Sequence, residues 1–199
     1  PETVFGVTHT LIDYTSTYRL IEVDGEKWLV SEEAEEKLKL QDHDIHEVRE
    51  VPAEEIVGEC VKNPVTDEEV MFLPAEFVDT DSGTGLVMSV PAHAPYDWIS
   101  LQDLKESESL LKQHGISPNE VRRIEPKQVI NTEEYTDMPA EEACSKYGVE
   151  SQGDEEALEE ATDEVYEKEF HEGRLNGSCG DHASEKVNSV KDVLTEEFE

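Results

Sequence analysis

Ser82 to Tyr96, a run of 15 residues, is the longest uncharged segment in a 199-residue chain that carries 50 Asp+Glu against 16 Lys+Arg, a formal net charge of −34. Its centre, Leu86 to Val90, is a buried-strand candidate that Pro91 stops. Gly83, Gly85, Pro91 and Pro95 interrupt the segment, and a membrane helix needs roughly 20 apolar residues, so no membrane partner is expected. Hydrophobic residues make up 36% of the chain and recur in patterned positions throughout. A core is therefore affordable at this length, and neither full disorder nor a disordered acidic tail fits.

The charge narrows the partners. An excess of acid repels phosphate, which disfavours nucleic acid at ordinary salt. At 1 M salt the Debye length falls to about 3 Å, and an acidic surface is then screened and keeps the protein hydrated. Acid spread along the whole chain suggests a salt-adapted, halophilic source. Cys60, Cys144 and Cys179 are odd in number and far apart, which argues against a disulfide framework and for a reducing, cytoplasmic home. Cys179 and His182 have the spacing of half a zinc site with no second pair to complete it, so neither metal nor cofactor is expected. No Gly-x-Ser-x-Gly turn marks a covalent nucleophile. With no initiating Met and no basic, apolar leader, the chain reads as a fragment that begins at an engineered cut.

Short strands dominate the first third: Thr3 to Thr8, then Tyr18 to Val23 and Glu26 to Val30 joined across Asp24-Gly25, a hairpin signal. Ser31 is placed to cap a short acidic helix through Leu38. Glu47 to Val51, Ile56 to Val61 and Glu69 to Leu73 read as further strands, with a turn at Asn63-Pro64. Trp98, Leu101, Leu104 and Leu111 recur at near-helical spacing up to His114, before the stop at Gly115. Residues 116 to 153 read as irregular. Asp154 to Phe170 predicts a helix with Leu158, Ala161, Val165 and Tyr166 on one side and a solvated acidic face. A last helix, about Ser184 to Glu197, follows the Asn176-Gly177 turn and turns Val187, Val190, Val193 and Leu194 inward. The class is mixed α/β, with a barrel-like β-sheet core and peripheral helices.

Few residues invite chemistry. Gly83-Thr84-Gly85 lacks the Gly-Lys-Ser/Thr of a phosphate loop and precedes a strand; its glycines would instead let backbone approach a small ligand or another strand. Asp97, at the mouth of a helix, reads first as a cap. His93 reads first as a hydrogen-bonded structural histidine and Thr3 as a strand residue.

Two motifs add a resemblance. Pro1-Glu2-Thr3-Val4-Phe5-Gly6-Val7-Thr8 resembles the threonine motif that opens the editing domain of leucyl-tRNA synthetases of the archaeal and eukaryotic cytosolic type. Gly83-Thr84-Gly85-Leu86-Val87-Met88-Ser89-Val90-Pro91-Ala92-His93-Ala94-Pro95-Tyr96-Asp97-Trp98 resembles that family's longest editing-site motif. The tail is similar too, with Glu169-Phe170-His171-Glu172-Gly173 ahead of Gly180 and the segment Val187 to Leu194. The His-Ile-Gly-His and Lys-Met-Ser-Lys-Ser signatures of the synthetic body are absent from the chain, so no aminoacylation is expected of it.

The resemblance implies a single editing domain over residues 1–199 with a helical insertion at about 98–170. It implies hydrolysis of tRNA for leucine mischarged with isoleucine, valine, methionine or norvaline. The partners would be the 3′ end of that tRNA and the rest of a leucyl-tRNA synthetase. In the family pattern Thr3 and Asp97 are catalytic, Thr3 blocking leucine and Asp97 holding the α-ammonium. Met88 and Ser89 would lie beside the terminal adenosine, and Gly83, Thr84 and Gly85 near the ester, with His93 also at the substrate. The family's residues just before Pro1, an Arg and a further Thr or Leu, are absent, which leaves open a non-catalytic module that only binds the acceptor end or amino acid. An acidic interaction protein without pocket chemistry is the remaining alternative.

The charge generates a first prediction. Folding followed by circular dichroism is expected to require molar salt, and full stability in dilute buffer would sink the salt-adaptation reading.

Overall fold

A computed structural model describes residues 1–198. They fall into two compact units. The first comprises Pro1–Thr8, Lys62–Glu69 and the chain from Ser89 onward; the second comprises His9–Val61 and Val70–Met88.

The second unit is built on two open sheets rather than the barrel-like sheet expected. One has four strands in the order β5-β6-β1-β7, formed by β1 (His9–Asp13), β5 (Cys60–Lys62), β6 (Glu69–Ala75) and β7 (Leu86–Ser89), with β1 and β6 parallel. The other has the order β3-β2-β4, from β2 (Thr17–Val23), β3 (Glu26–Ser31) and β4 (Ile45–Pro52), all antiparallel. Asp24 and Gly25 join β2 to β3 with φ of 52° and 93°. That pair of positive angles is the tight hairpin geometry for which Asp-Gly is suited. Ser31 caps α1 (Glu32–Leu38): its hydroxyl accepts from the Ala34 amide at 3.1 Å and donates to the Thr80 carbonyl at 2.7 Å. Ile21, Val23 and Val30 bury against Ala34 of that helix.

Two expected strands differ. Thr3 to Thr8 is not extended: Glu2–Gly6 forms a 3-10 turn, and the first strand begins at His9. Docking of the turn within its own unit overrides the β-propensity of its residues. Ile56 and Val57 are buried outside any strand because the chain turns at Gly58, with φ of 90°, and extends only from Cys60.

The first unit is mainly helical. The predicted Trp98–His114 helix is two, α2 (Pro95–Glu106) and α3 (Glu108–Gln113), broken at Ser107 with φ −87° and ψ 57°. Leu104 and Leu111 keep their inward phase across the break, which is why the spacing alone conceals it. Ser107 supplies the break, since serine competes for backbone hydrogen bonds inside helices. Residues expected to be irregular hold α4 (Pro118–Arg122), β8 (Ile130–Asn131) and α5 (Pro139–Tyr147). The inward face of α5 is Ala140, Ala143 and Cys144, small residues set among Glu141, Glu142, Ser145 and Lys146.

Helix α6 (Glu155–Glu172) packs Ala161 and Val165 with Ala143 of α5, and Leu158 with Ile99 and Cys144. Tyr166, expected inside, is exposed, as is Val193 of α7 (Val187–Phe198). The remaining inward face of α7 packs Val187, Val190 and Leu194 on Val129, Ile130 and Leu175, where β8 pairs with β9 (Arg174–Leu175).

Gly173 ends α6 against β8. A Cβ there would lie 2.2 Å from the Glu169 carbonyl oxygen and 2.6 Å from Cγ2 of Ile130. Gly173→Ala is expected to destabilise the chain by about 1–3 kcal/mol through overpacking, read as a lower urea midpoint at unchanged slope.

Candidate active-site cleft

The N-terminal turn is held from two sides. Asn63 Nδ2 donates to the Val4 carbonyl at 2.8 Å, and Gly6 sits so closely on the neighbouring backbone that a Cβ would be 3.0 Å from the Lys127 oxygen and 3.4 Å from the Val129 methyls. The turn presents Glu2 and Thr3 to a cleft of about 580 Å³, lined also by Val90, His93, Ile130, Tyr166, Glu167, Glu169, Phe170, His171 and Val187. Every one of these residues belongs to the first unit. No Lys or Arg is among them.

Asp97 stands beside this cleft. The chain leaves Ser89, folds through a turn in which the His93 and Ala94 amides both donate to the Val90 carbonyl, and enters α2 with Ala94 at the cap position and Pro95 first in the helix. Asp97 is thus inside the first turn of α2 instead of capping it. Its Oδ2 accepts from the amide of Val90 at 2.7 Å, closing the turn onto the helix. The residue is only 5% exposed. Burial pushes its carboxyl up to about 6, opposed by the Val90 amide and the Ser89 hydroxyl. Tyr166, 51% exposed along the cleft, has its phenol pushed up to about 12 by burial and by the negative charges of Asp97 and Glu169.

His93 is fully buried. Its Nδ1 lies 2.6 Å from Glu169 Oε1, and its Nε2 accepts from the Val129 amide at 2.9 Å. Both ring nitrogens are committed, so His93 lines the cleft without a free nitrogen to offer a substrate. Burial raises the Glu169 carboxyl, and the hydrogen bond from His93 opposes that rise.

Of the residues expected at the site, the structure brings Thr3 and His93 onto one cleft and Asp97 beside it through Val90. Ser89 is buried in the same unit, its carbonyl accepting from the Thr8 amide at 3.1 Å. Gly83, Thr84, Gly85 and Met88 belong to the second unit. There Gly83 and Gly85 have φ of 57° and 74°, the Ser31 amide donates to the Thr84 carbonyl at 2.8 Å, and the Tyr18 hydroxyl donates to the Gly85 carbonyl at 2.9 Å. Sequence reasoning missed Tyr166, Glu169 and Phe170. The signal for Glu169 was present: Leu158, Ala161, Val165 and Glu169 form one buried helical stripe, with a carboxylate at its end.

Known proteins are similar to this chain in sequence and in fold. Residues 1–152 match the family described as leucyl-tRNA synthetase, editing domain. The chain is 42% identical over 198 residues to a leucine–tRNA ligase of Methanothrix thermoacetophila and 44% identical over 198 residues to that of Archaeoglobus fulgidus. All of this chain is covered in both cases, against 20% and 21% of those proteins, so it spans about a fifth of the length of the curated relatives it matches. Among solved structures, GlLeuRS-CP1 superposes with a TM-score of 0.85 at 24% identity, over 100% of this chain and 78% of that one. The P. falciparum cytosolic leucyl-tRNA synthetase editing domain gives 0.88 at 18% identity, over 100% and 73%. At these identities the likeness is one of fold, and the fold is that of synthetase editing domains. The chain belongs to the leucyl-tRNA synthetase editing-domain family, the one its two long motifs resemble.

The carboxyl of Asp97 generates a stability prediction. Its folded pKa of about 6 lies above the ordinary 3.8, so between those values the folded state holds the proton more tightly and stability falls as pH rises. Above pH 6 the buried charge costs on the order of 3 kcal/mol. Asp97→Asn keeps an oxygen for the Val90 amide and removes the charge. In denaturant titrations it is expected to exceed the parent in stability at pH 8 and to lose that advantage below pH 4; identical pH profiles would show that Asp97 carries no such burden.

Proposed function

We propose that the chain hydrolyses the ester that joins a noncognate amino acid to the 3′ end of tRNA for leucine, the post-transfer editing reaction of leucyl-tRNA synthetase. The observation that supports it best is the buried Asp97 carboxylate, which accepts from the Val90 amide and is set beside a cleft lined without Lys or Arg among the described residues. Such an anion lacks a cation, and an aminoacyl ester brings one, its α-ammonium, through charge-assisted bonds. Thr3, on the facing turn, is proposed to exclude leucine by its methyl and hydroxyl while admitting isoleucine, valine, methionine or norvaline. A second, differently shaped site is what such discrimination needs, because one methylene in an apolar pocket yields only about 1–3 kcal/mol.

Each remaining contact has its own support. Met88 is 54% exposed and available to the terminal adenosine, and Gly83, with nothing within 4 Å of where a Cβ would stand, leaves room for close approach, whereas Gly85 is packed on Ser31. Ser89 is buried beside Asp97 and supports that carboxylate. The rest of a synthetase chain is proposed to carry the tRNA body, since this chain's charge gives phosphate nothing to bind.

The test is release of amino acid from tRNA for leucine charged with isoleucine or with leucine, in molar potassium chloride. The parent is expected to release isoleucine and to spare leucine. Asp97→Asn is expected to lose about 100-fold or more in kcat/KM while remaining folded, and Thr3→Ala to begin releasing leucine. Parent activity should fall as pH drops through about 6, where Asp97 takes up its proton. Binding of a nonhydrolysable aminoadenosine analogue without any turnover would replace the enzyme by a binding module.

A further inference from the structure

Glu169 is 4% exposed and His93 fully buried, and the bond between them determines where the imidazole proton sits. The Val129 amide is a donor only, so the Nε2 that receives it must carry a lone pair. In the neutral ring the proton then rests on Nδ1 and points at Oε1 of Glu169, 2.6 Å away. The contact is therefore a hydrogen bond from imidazole to carboxylate, with Glu169 holding the tautomer that leaves Nε2 free to grip Val129. Without an acceptor at Nδ1, the tautomer protonated on Nε2 would set an N–H against an N–H and release the Val129 amide.

Three walls of the cleft meet at this imidazole. Glu169 belongs to α6. His93 belongs to the turn that leads into the helix bearing Asp97. Val129 lies with its methyls 3.4 Å from where a Cβ of Gly6 would stand, in the turn that carries Thr3. A buried carboxylate is an expensive way to fill this place, and more so with the negative charge of Glu2 felt at it. An apolar residue would continue the stripe of Leu158, Ala161 and Val165.

We infer that Glu169 is a positioning residue of the editing site, acting through His93 to fix the spacing of Asp97 and Thr3 on which exclusion of leucine depends. The inference rests on the hydrolytic reading above, and its test separates the two. Long-range nitrogen-15 correlation spectra of the 199-residue chain are expected to show His93 protonated on Nδ1, both in the parent and in Glu169→Gln, whose amide oxygen accepts the same bond. Glu169→Leu removes the acceptor. In that variant the Val129 amide is expected to exchange with solvent at least about 10-fold faster, and the ratio of isoleucine to leucine release to fall by about 10-fold or more.

Glu169→Gln should keep both within about threefold of the parent, a rescue that bulk packing would not produce. An Nε2-protonated His93 in the parent overturns the inference. So does a folded Glu169→Leu with unchanged discrimination and exchange, or a Glu169→Gln as permissive as Glu169→Leu. If Glu169→Leu does not fold, the parent tautomer and the glutamine variant decide. A parent that releases no isoleucine overturns the hydrolytic reading and with it the role in excluding leucine, and tautomer and amide exchange then decide only whether Glu169 holds Val129 through His93.

Discussion

A carboxylate almost fully removed from water, with an amide for partner in place of a cation, is the constraint around which the first unit is organised. Asp97 is bearable there for local reasons. It lies in the first turn of α2, where unsatisfied amides and the helix dipole favour negative charge. Pro95, first in that helix, has no amide to leave unpaired. The Val90 amide reaches the carboxylate from the turn before, so one bond holds together the motif Ser89 to Asp97. Burial still wins over these gains, which is why the carboxyl rises to about 6 instead of falling. In the proposed reading, the ammonium of the ligand supplies the positive charge that this carboxylate lacks.

The exterior follows the opposite logic. Cations are few, and many are spent tying acidic side chains to one another: Arg19 bonds Glu32 at 3.0 Å and also Glu50, while Glu164 gathers Tyr135, Tyr147, Lys168 and Lys146. Those donors hold Glu164 well below the usual carboxylate range despite partial burial. With many cations committed at such hubs and no Lys or Arg among the described residues that line the cleft, the proposed attraction is local, directed at an ammonium. A phosphate backbone would find no comparable welcome.

The parts of the fold legible in the sequence are those fixed by local chemistry. Asp24-Gly25 sets the β2–β3 hairpin, Ser31 caps α1, and Gly115 follows α3 with φ of 72°. What stayed hidden was decided by tertiary contact. The turn carrying Thr3 resembles a strand until Gly6 is seen pressed on the Lys127 carbonyl. Helix α5 carries its buried stripe on alanine and cysteine, which a reading that looks for large apolar residues passes over. At the site, Thr3, His93 and Asp97 were found through motifs, since propensity alone would leave them a strand residue, a structural histidine and a cap. Glu169 escaped because a helix rich in carboxylates reads as solvated unless the stripe of Leu158, Ala161 and Val165 is followed to its end, and Tyr166 because that stripe placed it inward while the structure exposes it at the cleft.

The groups around the cleft also constrain how hydrolysis would proceed there. A general acid or base works best with a pKa near the working pH. Tyr166 lies far above it, at about 12, and the buried thiols of Cys144 and Cys179 are both pushed up, Cys144 to about 11. His93 has both nitrogens engaged. Asp97, the one carboxyl poised near 6, is in the proposed complex consumed by the ammonium it binds. With these groups set aside, the proposed reaction relies on holding an already activated ester and a water in line, the regime in which positioning alone supplies large accelerations. A site that works by position needs rigid walls more than reactive groups, and that is what the bonds converging on Val90, Val129 and Gly6 provide.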